Sequence, residues 1–246
     1  MQRDAFHKLF KSPGPVVLPV IHVLDTPRTL RNVGEVIAAG AAGCFLINHD
    51  FAPDRFLPII RDVRNKYQSL WMGVNFLAVT GKDAFPLLGR LASDGCQVDG
   101  YWADDARIDE HGDNIEAREI ADEYERSGWR GLYFGGTCFK KQRAVAPDLY
   151  ADAAREACGF MDVVTTSGVA TGQEADLSKI NTFREGIGAS ALAVASGVTP
   201  ENAASYADVD CFMVATGINE PDNFYDISPL RLAALMQVTR DLGKGE

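Results

Sequence analysis

The sequence predicts an α/β fold, a single closed (β/α)8 TIM barrel, on three observations. The chain has 246 residues, and barrels of this kind use about 250 as one domain. Eight short runs rich in β-branched and aromatic residues punctuate it, most of them apolar on both faces, as strands of a parallel sheet covered by helices must be. Helical stretches separate the runs with no linker between units, so residues 1–246 read as one barrel domain with 1–15 as a lead-in segment. An open doubly wound sheet uses the same alternation, but consecutive units in this number favour closure.

The first strand is VVLPVIHV at 16–23, followed by CFLIN at 44–48, LWMGVN at 70–75 and VDGYWA at 98–103. GLYFGG at 131–136, DVVTTS at 162–167, ALAVAS at 191–196 and CFMVAT at 211–216 complete the set. Helices are expected near 28–39, 53–66, 81–94, 114–127, 147–158, 175–187, 199–206 and 228–242. Pro53-Asp54, Pro147-Asp148 and Thr199-Pro200-Glu201-Asn202 place a cap or a proline in a first turn, where the missing N–H of proline does no harm. In the last helix Leu230, Leu232, Leu235 and Met236 exceed one narrow apolar stripe, which predicts that part of it buries against another subunit of a homo-oligomer.

Composition excludes several classes. Asp plus Glu number 34 against 24 Lys plus Arg, a net charge of −10 with no basic tail, and a phosphate backbone repels such a surface, so no nucleic-acid partner is expected. No apolar stretch approaches the roughly 20 residues of a membrane helix, and the N-terminal residues lack the apolar core of a secretory signal. A cytoplasmic protein without membrane insertion is the expectation. The cysteines, Cys44, Cys96, Cys138, Cys158 and Cys211, are odd in number and far apart, so they spell neither a disulfide framework nor a CxxC metal site. Cys44 and Cys211 sit in apolar runs, as small buried fillers do.

In such barrels the loops after the strands converge over one mouth, and chemistry sits there. The polar residues at those positions are His22 and Asp25; Asn48, His49 and Asp50; Asn75; Asp104 and Asp105; Thr137, Lys140 and Lys141; Thr166, Ser167 and Thr171; Ser196 and Thr199; Thr216 and Asn219. ASGVTPEN at 195–202 and VATGIN at 214–219 are the most informative segments. The loops after the seventh and eighth strands are the usual barrel phosphate site, glycines let backbone N–H groups approach an anion, and a helix opening at Thr199-Pro200 adds its orphan donors. Ser196, Gly197, Thr216 and Gly217 are therefore candidate phosphate ligands, against the plainer reading that both are tight strand-to-helix turns. On the phosphate reading, Gly217→Ala crowds the anion and leaves the barrel intact; on the turn reading, it lowers stability and spares phosphate affinity.

TTSGVATGQ at 165–173 superficially resembles the ribose-phosphate loop of phosphoribosyltransferases, but Val163-Val164-Thr165-Thr166 stands where that loop needs two carboxylates. Ser167 and Thr171 are instead candidate donors to a substrate, or caps of the following helix. His22 and His49 are candidate acid/base groups that titrate near neutrality. Asn75 is a candidate substrate contact, Asp104 a candidate general base, and Lys140 a candidate electrostatic partner of an anionic group. Each has a plain alternative: a satisfied rim histidine, a polar strand end, a solvated loop, a basic turn. Imine chemistry at Lys140 or Lys141 is disfavoured because both follow an irregular loop. No HxH, HExxH or paired His/Cys spacing occurs, so no metal site and no cofactor is expected, with Mg²⁺ bridging carboxylate and phosphate left open.

GVNFL at 73–77, FKKQRAVAPDLYADAAREA at 139–157, DVVTTSGVATG at 162–172 and SGVTPENAASY at 196–206 resemble the BtpA family (photosystem I biogenesis protein-like), most strongly after residue 139. The resemblance implies a TIM barrel of the ribulose-phosphate-binding kind. Relatives often carry an acidic residue after the fifth strand, where this chain has Gly135-Gly136-Thr137, and a proline-rich stretch after the first-strand His, where it has Val-Leu-Asp-Thr-Pro. Phosphoribosylanthranilate isomerase is disfavoured because its first strand ends in a catalytic Cys, and this one ends in Ile21-His22-Val23.

Two functions follow. The first is an enzyme acting on a small phosphorylated metabolite, a sugar or nucleotide-derived phosphate, by isomerisation, lysis or glycosidic transfer or cleavage. The alternative is a non-catalytic assembly or regulatory factor of a membrane complex, for which the polar mouth has no use and no basic amphipathic helix speaks.

Overall fold

Runs that are apolar on both faces leave a strand no stable place except between helices and a packed barrel interior. The computed structural model, which describes residues 1–140 and 142–244, shows this arrangement and leaves Lys141 outside the described residues. The strands are β1 (Val16–Val23), β2 (Gly43–Asn48), β3 (Trp71–Phe76), β4 (Gly100–Ala103), β5 (Leu132–Gly136), β6 (Val163–Thr166), β7 (Leu192–Val194) and β8 (Cys211–Val214). They pair in parallel in chain order, and β8 closes on β1 between Val16–Cys211 and Pro19–Val214, so the barrel is closed.

Alternation splits the strand residues between two cores. Val17, Ile21, Leu46, Val74 and Phe212 pack outward against the helices, while Val16, Leu18, Val20, Phe45, Ile47, Trp102, Phe134 and Met213 fill the barrel. The phenyl rings of Phe45 and Phe134 meet edge to face at 5.1 Å in the interior. Gly73 makes room for them, since a Cβ there would lie 2.3 Å from the Phe45 ring.

The outer helices are α2 (Thr26–Ala38), α3 (Pro53–Lys66), α4 (Gly81–Ser93), α5 (Ile115–Ser127), α6 (Tyr150–Ala157), α7 (Leu177–Ile187) and α8 (Pro229–Leu242). Their expected starts largely hold. Asp25, expected at the mouth, is instead the N-cap of α2 and accepts from the Arg28 N–H at 2.7 Å. Residues 199–206 depart more: no α-helix opens at Thr199-Pro200, and the segment makes a turn and a short 3-10 helix over Ala203–Tyr206. Asn202 explains the difference, because its side chain accepts from the Thr199 N–H at 2.8 Å and donates to the Gly197 carbonyl at 2.8 Å, closing a side-chain turn in place of a helical one. On α8, Leu232 and Leu235 are wholly buried and Met236 packs on the same core, so only Leu230, at 83% exposed, remains of the excess that predicted a subunit contact.

The lead-in segment contains a helix that the sequence reading did not anticipate, α1 (Arg3–Phe10), which plugs the N-terminal end of the barrel. Phe6 enters the barrel core at 0% exposure and Phe10 sits 5.2 Å from the Trp71 ring. Full burial of a phenylalanine contributes about 1.5–3 kcal/mol. A wholly buried carboxylate, Asp210, fastens this plug: it accepts from Arg3 Nε at 3.0 Å, His7 Nε2 at 3.0 Å, Arg184 at 2.6 Å and the Leu192 N–H at 2.9 Å. The hydrogen bond to Asp210 holds the His7 pKa above its ordinary 6.5, against a smaller opposing effect of burial. Burial raises the Asp210 pKa, but the bonds from His7 and Arg184 outweigh it and hold the group below the usual carboxylate range.

The His7 contribution is therefore complete below about pH 6.5 and lost as pH rises through the elevated folded value. That of Asp210 is complete above about pH 3.9 and lost as pH falls through the depressed one. We expect His7→Ala to flatten the fall in melting temperature of the wild type as pH rises above about 6.5, a comparison made by thermal denaturation across pH. Equal slopes in the two proteins would refute the role of His7.

Candidate functional site

The inward-facing series of each strand continues past the barrel core to its carboxyl end, so that Val20 is followed by His22, Ile47 by His49, and Trp102 by Asp104. These residues line one cavity with Lys140, Thr171, Ser196, Gly197, Thr216 and Gly217. The structure thus gathers most of the predicted site residues at one mouth. Asn75 and Ser167 do not line it.

The two histidines form a pair under an aromatic cover. His22 is 6% exposed, its ring stacks on Phe224 at 3.7 Å, and its Nδ1 lies 2.7 Å from the Phe224 carbonyl. A carbonyl only accepts, so Nδ1 carries the proton and, in the neutral ring, Nε2 carries the lone pair. His49 stands edge-on to both rings, 4.8 Å from His22 and 5.1 Å from Phe224. Phe224 belongs to the loop after β8, which is pinned by Asn219 to the Phe224 carbonyl at 3.0 Å, by Asn32 to the Tyr225 carbonyl at 2.6 Å and by the Tyr225 hydroxyl to Asp50 at 2.6 Å. Asn48 and Asn219 are thereby structural: Asn48 donates to the Phe51 carbonyl at 2.5 Å and accepts from the Leu77 N–H.

Behind the cavity lining, on the strand next to β2, Asn75, 1% exposed, donates through Nδ2 to Asp104 Oδ1 at 3.1 Å and so orients the carboxylate. Lys140 is placed by its loop: its N–H donates to Ser167 Oγ at 2.9 Å and its ammonium to the Ala195 carbonyl at 3.2 Å. Gln142 anchors that loop to the Asp104 and Gly136 carbonyls, at 2.8 and 2.7 Å. Ser167 also donates to the Gly168 carbonyl, so its hydroxyl serves the loop.

The segment between β6 and α7 closes over the mouth. Ser196 Oγ accepts from the Gly168 N–H at 2.7 Å, and Gly172 lies against Thr216, to which a Cβ would approach within 3.5 Å. Gly197, at φ +68°, lets Gln173 and Glu174 pass so close that a Cβ would sit 2.2 Å from the Gln173 carbonyl oxygen. Lys179 ties the segment to its neighbour, donating to the Cys138 carbonyl at 2.6 Å and the Ser167 carbonyl at 2.8 Å, and burial lowers its pKa. Burial likewise pushes the Cys138 thiol up to about 11, which makes it a poor nucleophile.

The loops after β7 and β8 nest directly. Gly217 is glycine because a Cβ there would lie 2.0 Å from the Val198 carbonyl oxygen, which overturns the expectation that Gly217→Ala leaves the barrel intact. Nor does Gly217 belong to the positive-φ residues, so a close approach, and not a left-handed turn, accounts for it. Among the described residues, the hydrogen bonds of the first of these loops use the N–H groups of Thr199, Glu201, Asn202 and Ala203, and none uses those of Gly197 or Val198. The cavity that remains is about 50 Å³, well below the roughly 300–1,000 Å³ of a small-molecule site. A ligand of ordinary metabolite size does not fit the cavity in this conformation.

Among the described residues no group of three or more His, Cys, Asp or Glu is arranged to hold a metal ion, and no helix is long and apolar enough to cross a membrane. Of the residues that shape this mouth, Trp102, Phe224, Gln142 and Lys179 were not foreseen. Only Trp102 carried a usable signal, lying two residues before Asp104 on the same face of a strand.

Fold and mouth together define a (β/α)8 barrel whose polar residues converge at the carboxyl ends of the strands. No protein-family model matches the chain, and no curated protein matches it. Among solved structures it is similar to a native KDPGal structure (TM-score 0.63, 13% identity, covering 93% of this chain and 96% of that one). It is similar as well to the tryptophan synthase subunit alpha of Legionella pneumophila (TM-score 0.63, 15% identity, covering 100% of both chains). A third is the phosphoribosyl anthranilate isomerase of Thermus thermophilus (TM-score 0.58, 14% identity, 92% of this chain and 99% of that one). At these identities the likeness shows the barrel fold.

Proposed function

We propose that this chain is a BtpA-like enzyme that acts on a small phosphorylated metabolite by acid/base chemistry without a resident metal. One observation carries the reading: the cavity joins the backbone of Ser196, Gly197, Thr216 and Gly217 to Lys140, the histidine pair and Asp104. The N–H groups of Gly197 and Val198 and the Lys140 ammonium receive the phosphate. Nε2 of His22 takes a proton from the substrate, and Asp104, oriented by Asn75, serves as the second acid/base group. His49, edge-on at 4.8 Å, holds the His22 ring in place. The names of two structures it resembles, a phosphoribosyl anthranilate isomerase and a tryptophan synthase alpha subunit, support small-metabolite chemistry on this fold.

The test is thermal denaturation with a panel of sugar phosphates and nucleotides, followed by affinity measurements on Lys140→Ala. A native-state ligand at 100 times its Kd adds about 2.7 kcal/mol of stability. Lys140→Ala is expected to weaken the best phosphate at least tenfold, about 1.4 kcal/mol, in a protein that still unfolds cooperatively. No response to any phosphate would favour the assembly-factor role instead.

A further inference from the structure

Among the described residues five buried side-chain polar atoms lack a hydrogen-bond partner, on Asn75, Trp102, Tyr133, Thr137 and Thr166, and of these residues Trp102 alone lines the mouth cavity. A buried indole N–H finds an acceptor, and that of Trp129 donates to the Val98 carbonyl at 2.7 Å. Trp102 is 5% exposed, its Nε1 has no hydrogen-bond partner, and its ring forms part of the mouth cavity wall two residues before Asp104. Its ring is held by Phe139 at 5.9 Å and Phe45 at 6.1 Å, both edge to face.

We infer that the Trp102 N–H is the binding group for a hydroxyl at the end of the substrate remote from its phosphate; this rests on the phosphate reading of the mouth. An indole N–H only donates, so its partner is an acceptor oxygen. Asp104, on the same face of β4, disfavours a carboxylate there and favours a group that also donates. A hydroxyl meets both demands, accepting from Trp102 and donating to Asp104. Position sets the length of the ligand. In the closed strand order β4 lies four strands from β8 in either direction, so the glycine turns and Trp102 stand across the barrel from each other. The substrate class is therefore a phosphorylated polyol or sugar that spans the mouth, bound at one end by loops 7 and 8 and at the other by Trp102.

The experiment compares inorganic phosphate, D-ribitol 5-phosphate and n-pentyl phosphate, the last having the same chain length without hydroxyls, on wild type and Trp102→Phe. In wild type, ribitol phosphate is expected to bind at least tenfold more tightly than pentyl phosphate, and to shift the indole N–H resonance of Trp102, assigned among the three tryptophans, while inorganic phosphate leaves it in place. In Trp102→Phe the preference is expected to fall below about twofold with inorganic phosphate affinity unchanged. If the variant does not fold, the wild-type resonance and the ratio of the two organic phosphates decide. Equal binding of those two, an unmoved resonance with ribitol phosphate bound, or a preference that survives in the variant overturns the inference and leaves the phosphate reading standing. Binding of none of the three overturns the phosphate reading and this inference with it.

Discussion

Replacing Asp210 with alanine is expected to destabilise the protein by about 3 kcal/mol, near the lower end of what removal of one partner from a buried ion pair produces. The carboxylate is wholly buried and takes four hydrogen bonds, from Arg3, His7, Arg184 and the Leu192 N–H. Without it, Arg184, 16% exposed, loses its counter-charge and the Leu192 N–H loses its acceptor. Arg3, at 35% exposed, is partly solvated and adds less. For a chain of this length the loss corresponds to a fall of roughly 6–12 °C in melting temperature, readable by calorimetry. Because Arg3 and His7 belong to α1, protease cleavage near the N-terminus should accelerate in the same variant. A loss below about 1 kcal/mol would show that the Asp210 bonds contribute little to holding α1 and that its apolar contacts, Phe6 and Phe10 among them, hold it instead.

Gly217→Ala is expected to lower stability by about 2–3 kcal/mol and to weaken phosphate binding at the same time. The added Cβ would lie 2.0 Å from the Val198 oxygen and 3.2 Å from the Thr199 Cα, all backbone, so the two loops must separate. Those loops carry the proposed anion site, and their separation displaces its donors. Gly95→Ala is the control: it has φ +80° with nothing within 4 Å of its Cβ, so only the left-handed backbone penalty of about 1–2 kcal/mol applies, with no effect on phosphate. Thermal denaturation and phosphate affinity measured on both variants separate contact from conformation. A Gly217→Ala protein as stable as wild type would mean that the loops yield freely.

The barrel itself was legible because its physical cause is local. A strand covered on both faces must be apolar at consecutive positions, and VVLPVIHV meets that demand over the whole of β1 (Val16–Val23). The same alternation that put Leu18 and Val20 inside put His22 at the mouth, and that placed Asp104 beyond Trp102, so much of the site could be read from strand ends. α1 escaped notice because RDAFHKLF is short, and it is a helix only through the barrel end that Phe6 enters and the carboxylate of Asp210, some 200 residues away in sequence.

The segment 199–206 misled for the opposite reason: Thr199-Pro200 is a good helix start, but the Asn202 side chain offered the backbone a competing set of bonds. Sequence alone determined the fold class, the strand positions and the alternation that turns His22, His49 and Asp104 to one mouth, since each depends on spacing along one strand. Tertiary structure alone decided what those side chains touch. It set Phe224 on His22, nested Gly217 against Val198, spent the hydroxyl of Ser167 on its own loop and left the Trp102 N–H without an acceptor, because each outcome depends on loops from separate units meeting across the closed barrel.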